Sequence, residues 1–127
     1  MDMNVKISLC MIVKNEEDVI ARCLDSVSRC VDEIIIADTG SSDRTKEICR
    51  DFTDKIFDFE WTDDFSAARN FSFSKATGDY LMWLDADDVV PTETANAVIA
   101  WKNSPSDADF VYMRYRFDGS QFWFWRE

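Results

Sequence analysis

Three carboxylates follow directly on an apolar run in the stretch YLMWLDADD, which spans residues 80–88. Taken alone, the triplet Asp85, Asp87 and Asp88 is typical of a solvated loop with Asp88 near a helix start. After a buried strand, however, three repelling charges require something positive to neutralise them. Carboxylate oxygens with open positions beside them suit Mg²⁺ or Mn²⁺ that bridges the phosphates of a substrate. The triplet therefore indicates a divalent-cation site.

Two further polar stretches end apolar runs in the same way. KNEE (residues 14–17) follows the apolar run 7–13. DTGSSD (residues 38–43) begins with the last residue of the run 33–38 and continues beyond it. Ligands of open α/β sheets bind beyond the carboxyl ends of the strands, so these stretches are expected to meet the carboxylates at one edge. DTGSSD is also typical of an ordinary turn, in which Gly40 adopts a left-handed conformation and Ser42 or Asp43 caps the next helix.

The elements that must position these residues alternate between short apolar runs and amphipathic stretches. This alternation predicts an α/β fold, with a mostly parallel sheet covered by helices. With no repeat, low-complexity tract or obvious linker, we expect a single domain over residues 1–127. The predicted strands are 7–13, 33–38, 55–60 and 80–84, with a hairpin of 110–117 and 121–125 around the turn Asp118-Gly119. The predicted helices are 17–28, 42 or 43 to about 52, 66–76 and 92–103.

Composition limits the classes of partner. The 25 acidic and 14 basic residues give a net charge of −11, which repels nucleic acid and anionic membranes. The apolar run 7–13 is too short to span a bilayer and lacks the basic leader and cleavage site of a signal peptide. We therefore expect a cytoplasmic protein without a nucleic-acid partner, with the inner face of the membrane as an alternative location.

The four cysteines are predicted to be reduced core residues. Cys10, Cys23, Cys30 and Cys49 form no C-x-x-C pair, and the sequence contains no His, which excludes the usual zinc and iron–sulfur arrangements. Cys23 shares a helical stripe with apolar neighbours, and Cys10 lies inside an apolar strand. Catalysis by a cysteine would need a base such as His.

A basic residue precedes the acidic strand in WTDDFSAARNFSFSKATGDY, residues 61–80. Arg69, followed by Asn70, is expected on a helix that leads back to that strand. Two roles are open for Arg69: a surface ion-pair partner, or a guanidinium donor to a diphosphate beside the metal.

Four stretches in this order and spacing, SLCMIVKNEE, VDEIIIADTGSSDRT, DDFSAARNFSFSKATGDY and WLDADD, closely resemble the donor-binding half of family-2 glycosyltransferases. The resemblance covers about residues 7–90. It implies the Rossmann-like, three-layer α/β/α GT-A fold and a nucleotide-diphosphate sugar donor, with a UDP-sugar favoured. It also implies Mn²⁺ or Mg²⁺ as cofactor and sugar transfer with inversion at the anomeric carbon.

The resemblance assigns roles to individual residues. The family's D-x-D motif matches Asp85-Ala86-Asp87, in which Asp87 would bind the metal and Asp85 would contact the ribose or the metal through water, with Asp88 in reserve. Thr39 stands where the family often has a second acid, which leaves uridine, guanosine and thymidine open. The remaining donor contacts that the resemblance implies are the backbone around Val13 and Asn15, the side chain of Glu16, Asp38 for the nucleoside, and Arg69 with Asn70 beside the donor.

The resemblance also implies a second half that this chain lacks. Inversion requires a carboxylate base to deprotonate the acceptor hydroxyl, and no residue after Asp88 is a clear candidate. We therefore expect an incomplete, C-terminally truncated domain or a divergent short protein, with the general base outside the chain and an unknown glycan, lipid or protein acceptor. The terminal FWFWRE would be core if more chain followed, or an exposed edge that supports a homodimer if none did.

Other classes share parts of this pattern. A receiver module would need an acidic pair where Lys14 and Asn15 end the first strand. A sugar nucleotidyltransferase would share the fold and the metal but should have a glycine-rich phosphate loop after that strand, and none is present. A non-catalytic module that binds nucleotide or metal remains open as an alternative, because the general base is missing.

Overall fold

Strands and helices alternate along most of the chain. The computed structural model describes residues 5–103 and, for the backbone alone, the strands 110–114 and 121–126. A short 3₁₀ turn, Ser28–Cys30, follows the first helix. The elements in chain order are β1 (Ile7–Val13), α1 (Ile20–Val27), β2 (Glu33–Asp38), α2 (Thr45–Cys49), β3 (Ile56–Asp58), α3 (Phe65–Ser74), β4 (Tyr80–Met82), α4 (Thr92–Asn103), β5 (Phe110–Arg114) and β6 (Gln121–Arg126).

All six strands form one sheet in the order β3-β2-β1-β4-β6-β5. The pairs β1–β2, β1–β4 and β2–β3 are parallel, whereas β6 pairs antiparallel with both β4 and β5. The prediction of a mostly parallel sheet is thus confirmed for the first four strands. The continuous apolar run of β1 fits its central place, because a central parallel strand is covered on both faces.

Side chains of the central strands alternate between two cores. Leu9 and Met11 belong to a large core that also includes Leu24 of α1 and Val98 of α4. On the opposite face, Cys10, Ile35 and Leu81 form a smaller core against Phe73 and Ala76, at and beyond the end of α3. Helices therefore cover both faces of the sheet, which confirms the three-layer α/β/α arrangement.

The predicted bounds of β1, β2 and α4 agree with the structure, whereas α1, α2, β3, α3 and β4 are shorter than predicted and β6 is one residue longer. Residues 17–19 form a turn before α1, in which the N–H groups of Val19 and Ile20 both donate to the Glu16 carbonyl, at 3.1 and 2.9 Å. The strand predicted at 80–84 ends at Met82, where its pairing with β1 stops. Short turns at element ends satisfy backbone groups that regular structure would otherwise leave open.

The aromatic segment near the end of the sequence lies inside the sheet. Its strand, β6, is hydrogen-bonded to β4 on one side and to β5 on the other. Of the two positions left open for this segment, the backbone takes the interior one. The turn Asp118-Gly119 lies outside the described residues, although the antiparallel pairing of β5 with β6 agrees with the predicted hairpin.

The cysteines behave as predicted. Cys10, Cys23, Cys30 and Cys49 are all buried, and none of the four forms a disulfide within the described residues. Burial raises the pKa of the Cys23 thiol to about 12, with smaller contributions from the neighbouring carboxylates. Within the described part of the chain, no helix combines the length and apolarity needed to cross a bilayer.

A polar network closes the edge of the sheet at which the parallel strands begin, here named the amino edge. The Glu33 carboxylate accepts hydrogen bonds from the buried Ser8 hydroxyl (2.7 Å), from the backbone N–H of Thr77 (2.8 Å) and from its hydroxyl (2.9 Å), and it pairs with Lys55. The Ser8 oxygen in turn accepts from the N–H of Gly78 at 2.9 Å. This network joins β1, β2, the segment before β3 and the turn before β4.

Candidate functional site

The three polar stretches of the sequence meet at the opposite edge, here named the carboxyl edge. Strands β2, β1 and β4 are neighbours in the sheet and run parallel, so their carboxyl ends lie side by side. Connections leave β1 towards β2 on one side and return from β3 to β4 on the other. A crevice forms at such a switch in strand order and is the usual ligand site of open α/β sheets.

Asn15 holds the first two loops together. Its backbone has a φ of 53°, a left-handed conformation that Asn tolerates better than most residues. The Asn15 N–H donates to the Ser41 hydroxyl at 2.9 Å, and its side-chain oxygen accepts from the Ser42 N–H at 2.8 Å. The Glu16 N–H donates to the buried Thr45 hydroxyl at 2.7 Å. The Asn15 side chain is therefore used in a hydrogen bond that holds the β1 loop against the β2 loop.

A second set of bonds continues this connection. Asp43 accepts from the N–H of Thr45 at 2.9 Å and from that of Glu17 at 3.3 Å. Glu17 accepts from the N–H of Arg44 at 3.0 Å. Of the two predicted caps of α2, Asp43 is thus the one that bonds to the start of the helix. The backbone of both loops is fixed by contacts between them.

Asp38, at the end of β2, is buried and has one oxygen left open. Its Oδ1 accepts from the N–H groups of Gly40 (2.9 Å) and Ser41 (2.8 Å), and Gly40 has a φ of 120°. Its Oδ2 is buried without a hydrogen-bond partner among the described residues. Buried polar atoms are nearly always hydrogen-bonded, so this oxygen could accept from a donor that the described residues do not supply.

Thr39, the departure from the family pattern, faces a neighbouring strand. It is buried, and both its N–H (3.0 Å) and its hydroxyl (3.3 Å) donate to the Val13 carbonyl. Val13 and Asp38 are also register partners in β1 and β2. The Thr39 hydroxyl consequently stabilises the strand ends, and the Val13 carbonyl is used internally.

The three carboxylates after β4 divide into two kinds. Asp88 is buried, and its Oδ2 accepts from the Asp85 N–H at 2.9 Å, while the Asp88 N–H donates to the Asp85 carbonyl at 2.9 Å. Asp85 and Asp87 are exposed. Asp88, the reserve metal candidate, therefore closes a turn over residues 85–88, here named the acidic turn. This turn leaves the other two carboxylates accessible.

The charges of these loops act on one another. Partial burial raises the pKa of Asp85, and Asp88 and Asp87 raise it further, while Arg69 opposes the shift. The pKa of Glu16 is raised first by burial and then by Asp87, Asp43 and Asp85. Glu16, on the β1 loop, is thus part of the same acidic cluster, and a bound cation would relieve its repulsion.

The Arg69 guanidinium contacts two aromatic rings. Its guanidinium carbon is 4.9 Å from the ring centre of Phe65 and 4.8 Å from that of Trp83, the residue that follows β4. Burial lowers the pKa of Arg69, and Asp85 acts in the opposite direction. The guanidinium is half-buried and contacts two rings next to the acidic turn, which favours a fixed position over that of a fully exposed ion-pair partner. Asn70, the next residue of α3, is exposed.

The donor set at the carboxyl edge fits only part of a metal shell. Within residues 5–103, no three Asp, Glu or Cys side chains converge as a ready-made metal site. Asp85 and Asp87 offer hard oxygen ligands and leave the other positions to substrate oxygens and water. Mg²⁺ and Mn²⁺ accept such partial protein coordination when they bridge phosphates, so the residues fit a cation of that kind.

Sequence reasoning missed the residues of α1 that contact the acidic turn. Arg22 donates to the Asp87 carbonyl at 3.3 Å, and the Cys23 thiol lies 3.6 Å from the Asp85 carbonyl. The Ser26 hydroxyl accepts from the Val90 N–H at 2.9 Å. The one available signal was their spacing, because residues three or four apart share a face of a helix.

Solved glycosyltransferases share the fold. The chain superposes on the mannosyltransferase PcManGT from Pyrobaculum calidifontis, in complex with GDP-Man and Mn²⁺, with a TM-score of 0.71 and 19% identity over 97% of this chain and 45% of that one. It also superposes on glucosyl-3-phosphoglycerate synthase from Mycobacterium tuberculosis, in complex with Mn²⁺ and UDP-glucose, with a TM-score of 0.65 and 21% identity over 84% of this chain and 42% of that one.

Curated relatives have higher sequence identity. A TPR repeat-containing protein from Synechococcus elongatus is 42% identical over 86% of this chain, and the glycosyltransferase SunS from Bacillus subtilis is 38% identical over 69%. The chain spans 27% and 21% of the lengths of these two proteins. The sequence model described as glycosyl transferase family 2 matches residues 8–127. On this match, the chain belongs to glycosyl transferase family 2.

Proposed function

We propose that the carboxyl edge binds a nucleotide-diphosphate sugar, with a UDP-sugar favoured, through a divalent cation held by Asp87 and Asp85. The protein then takes part in inverting transfer of the sugar to a glycan, lipid or protein acceptor. One observation supports this above all others. An exposed carboxylate pair on a hydrogen-bonded turn stands at the same sheet edge as a buried Asp38 oxygen that has no hydrogen-bond partner among the described residues.

Asp38 is proposed to recognise the base or ribose of the donor. Only its Oδ2 is open, because Oδ1 already accepts two backbone hydrogen bonds. Uracil presents one imide N–H to such an acceptor, whereas guanine presents adjacent N–H donors that pair best with two oxygens. The single open oxygen therefore favours uridine. The backbone at Val13 and Asn15 and the side chain of Glu16 are proposed to border the nucleoside.

Asp87 and Asp85 are proposed to hold Mn²⁺ or Mg²⁺ against the diphosphate. When bound, such a cation neutralises the charge that develops on the departing nucleoside diphosphate. The Arg69 guanidinium contacts the rings of Phe65 and Trp83 and interacts with the charge of Asp85. We propose that it donates to the diphosphate, with Asn70 next to it on α3.

The general base is proposed to lie outside the described residues. Inversion needs a carboxylate within hydrogen-bond reach of the acceptor hydroxyl. In the described part of the site, Asp38, Asp85 and Asp87 have the donor roles given above, and Asp88 is used in the turn. Donor binding is therefore the step that these residues can perform, and binding is what the test should measure.

The test is a titration of the full chain with UDP, GDP and dTDP, with and without Mn²⁺, followed by calorimetry and thermal shift. We expect UDP to bind, and Mn²⁺ to strengthen that binding at least tenfold. Asp87→Asn should abolish the metal-dependent gain, because it removes a charged ligand. Asp38→Asn should weaken UDP about tenfold with or without metal, because an amide N–H₂ replaces the open acceptor.

Asp51→Asn is the matched control, since it makes the same change at an exposed residue beyond α2. It should bind like the native chain. If no nucleotide binds the native chain in a metal-dependent way, the proposal fails. A preference for GDP would retain the donor site but overturn the assignment of uridine.

Two further properties are proposed on narrower grounds. Four buried cysteines without a disulfide suit a reducing compartment, which supports a cytoplasmic location. A homodimer through the aromatic segment remains a prediction. The interior position of β6 argues against pairing through its backbone edge, because both of its edges are already used.

A further inference from the structure

The acidic turn after β4 and the two residues that follow it are bonded to α1 at several points. Arg22 donates to the Asp87 carbonyl, and the Cys23 thiol lies near the Asp85 carbonyl. At the far end, the Val90 N–H donates to the Ser26 hydroxyl at 2.9 Å. Within the turn, Asp88 bonds to the Asp85 N–H. The backbone groups that a loop of this kind usually exposes to water are therefore held by protein.

Ser26 has a defined orientation in this contact. Its hydroxyl donates to the Cys23 carbonyl of its own helix at 2.7 Å and accepts from Val90 at 2.9 Å. The hydroxyl hydrogen is directed to the helix, so the lone pairs face the loop. One of these lone pairs accepts from Val90, two residues beyond Asp88.

We infer that Ser26 is a positioning residue for the metal site. It holds Val90, two residues beyond the acidic turn, so that Asp85 and Asp87 present their carboxylates together. The inference rests on the proposed function. A cation bound by two carboxylates on one short turn requires the turn to keep its shape against their mutual repulsion. Partners that orient metal ligands typically account for 10- to 100-fold in metal affinity.

Ser26 tests this inference better than its neighbours on α1. Arg22 has a charge, so its removal would alter the field at the carboxylates as well as the contact with the turn. Cys23 is fully buried in the main core, so its substitution would disturb packing. Ser26 is neutral and half-buried, and replacing it removes one hydroxyl without changing any charge.

The experiment compares Ser26→Ala with Ser28→Ala. Ser28 also bonds back to a carbonyl three residues earlier, that of Asp25 at 3.5 Å, but it is exposed and, within the described part of the chain, makes no hydrogen bond to the turn. The quantity measured is the ratio of UDP affinity with Mn²⁺ to that without. We expect Ser26→Ala to lower this ratio about tenfold, with metal-free UDP affinity within about twofold of native. Ser28→Ala should keep the native ratio, and Ser26→Thr should restore most of it.

A ligand-free measurement accompanies the titration. Amide hydrogen exchange at Val90 should accelerate in metal-free Ser26→Ala and not in Ser28→Ala, because the hydroxyl acceptor is lost. A native metal-dependent ratio in Ser26→Ala overturns the inference while leaving the donor site intact. A native chain without any metal-dependent ratio overturns the proposed function and this inference together. The two failures are thus distinguishable.

Discussion

Glu33 and Asp85 are carboxylates at opposite edges of the same sheet, and their surroundings shift their pKa values in opposite directions. At the amino edge, burial alone would raise the pKa of Glu33, but hydrogen bonds from Lys55, Ser8 and Thr77 outweigh it and lower the pKa to about 2. At the carboxyl edge, burial and the charges of Asp88 and Asp87 raise the pKa of Asp85. The first carboxylate is stabilised as an anion by its protein neighbours, and the second is destabilised by them.

The difference separates stability from binding. The Glu33 side chain is only 8% exposed, and each of its oxygens has partners inside the protein. Asp85 and Asp87 are exposed and repel each other, so a cation improves their electrostatic free energy. A folded protein retains such unfavourable charges mainly at sites where a ligand compensates them. Substitutions at the two edges should therefore change stability in opposite directions.

Glu33→Ala should have the largest effect. It removes the acceptor of Ser8, Lys55 and Thr77 and leaves the Ser8 hydroxyl buried, which should lower the free energy of unfolding by about 3 kcal/mol. Chemical denaturation at neutral pH measures this change. Glu47→Ala is the control, because Glu47 is 63% exposed and, among the described residues, forms an ion pair only with Arg44, three residues earlier on the chain. A loss at Glu33 no larger than that at Glu47 would contradict the distinction between the edges.

The same comparison predicts a pH dependence. The pKa of Glu33 is lower in the folded state than the ordinary 4.5, so its contribution is complete above about pH 4.5 and is lost as the pH falls towards 2. Glu33→Ala should remove this part of the acid sensitivity. If the difference in free energy of unfolding between variant and native chain were the same at all pH values, the prediction would be contradicted.

Gly78→Ala should disturb the same edge somewhat less. A Cβ at this position would lie 2.6 Å from the Ser8 hydroxyl oxygen, 2.9 Å from the Ser8 nitrogen and 3.0 Å from the Lys6 carbonyl oxygen. Two of these atoms are backbone, so the strand must move, at a cost of about 2 kcal/mol. Thermal unfolding of the variant measures it. UDP affinity should stay native, because the substitution lies at the opposite edge from the site.

Asp85→Asn should give the smallest change, with the opposite sign. Removing one of several like charges should raise the free energy of unfolding of the metal-free chain by about 0.5 kcal/mol at neutral pH. Because the folded-state pKa of Asp85 is raised above the ordinary 3.8, the penalty exists above that raised pKa and disappears in acid. The gain should therefore vanish near pH 3. A clear loss of stability at neutral pH would show that Asp85 resembles Glu33.

The carboxyl edge could be predicted because its residues follow strands. Asp38 ends β2 and Asp85 follows β4, so the rule that parallel strands present their carboxyl ends together was enough to group them. The exposed pair and the turn residue, in contrast, could not be told apart. Nothing in the local sequence distinguishes Asp88 from Asp87, whereas in the fold Asp88 is buried and accepts from the Asp85 N–H.

The amino-edge network and the α1 contact were not predicted because they depend on long-range register. Thr77 lies 44 positions from Glu33, and Val90 lies 64 positions from Ser26. Each residue is ordinary for a turn or an exposed helix face, and its partner follows from how strands and helices pack. The Arg69 stack had the same origin, since Trp83 reaches it only after the chain returns through β4.

The bonds between the β1 and β2 loops have a kinetic consequence. Asn15 joins Ser41 and Ser42, and Glu17 joins Asp43 and Arg44, before any ligand arrives. A ligand that meets such a site does not have to immobilise these loops, so little conformational entropy is lost on binding. With a net charge of −11, the chain repels free anions, so the proposed diphosphate donor should meet the site faster when it is already complexed with a cation. Because the loops are already ordered, we expect electrostatic repulsion during encounter to be the main barrier to association.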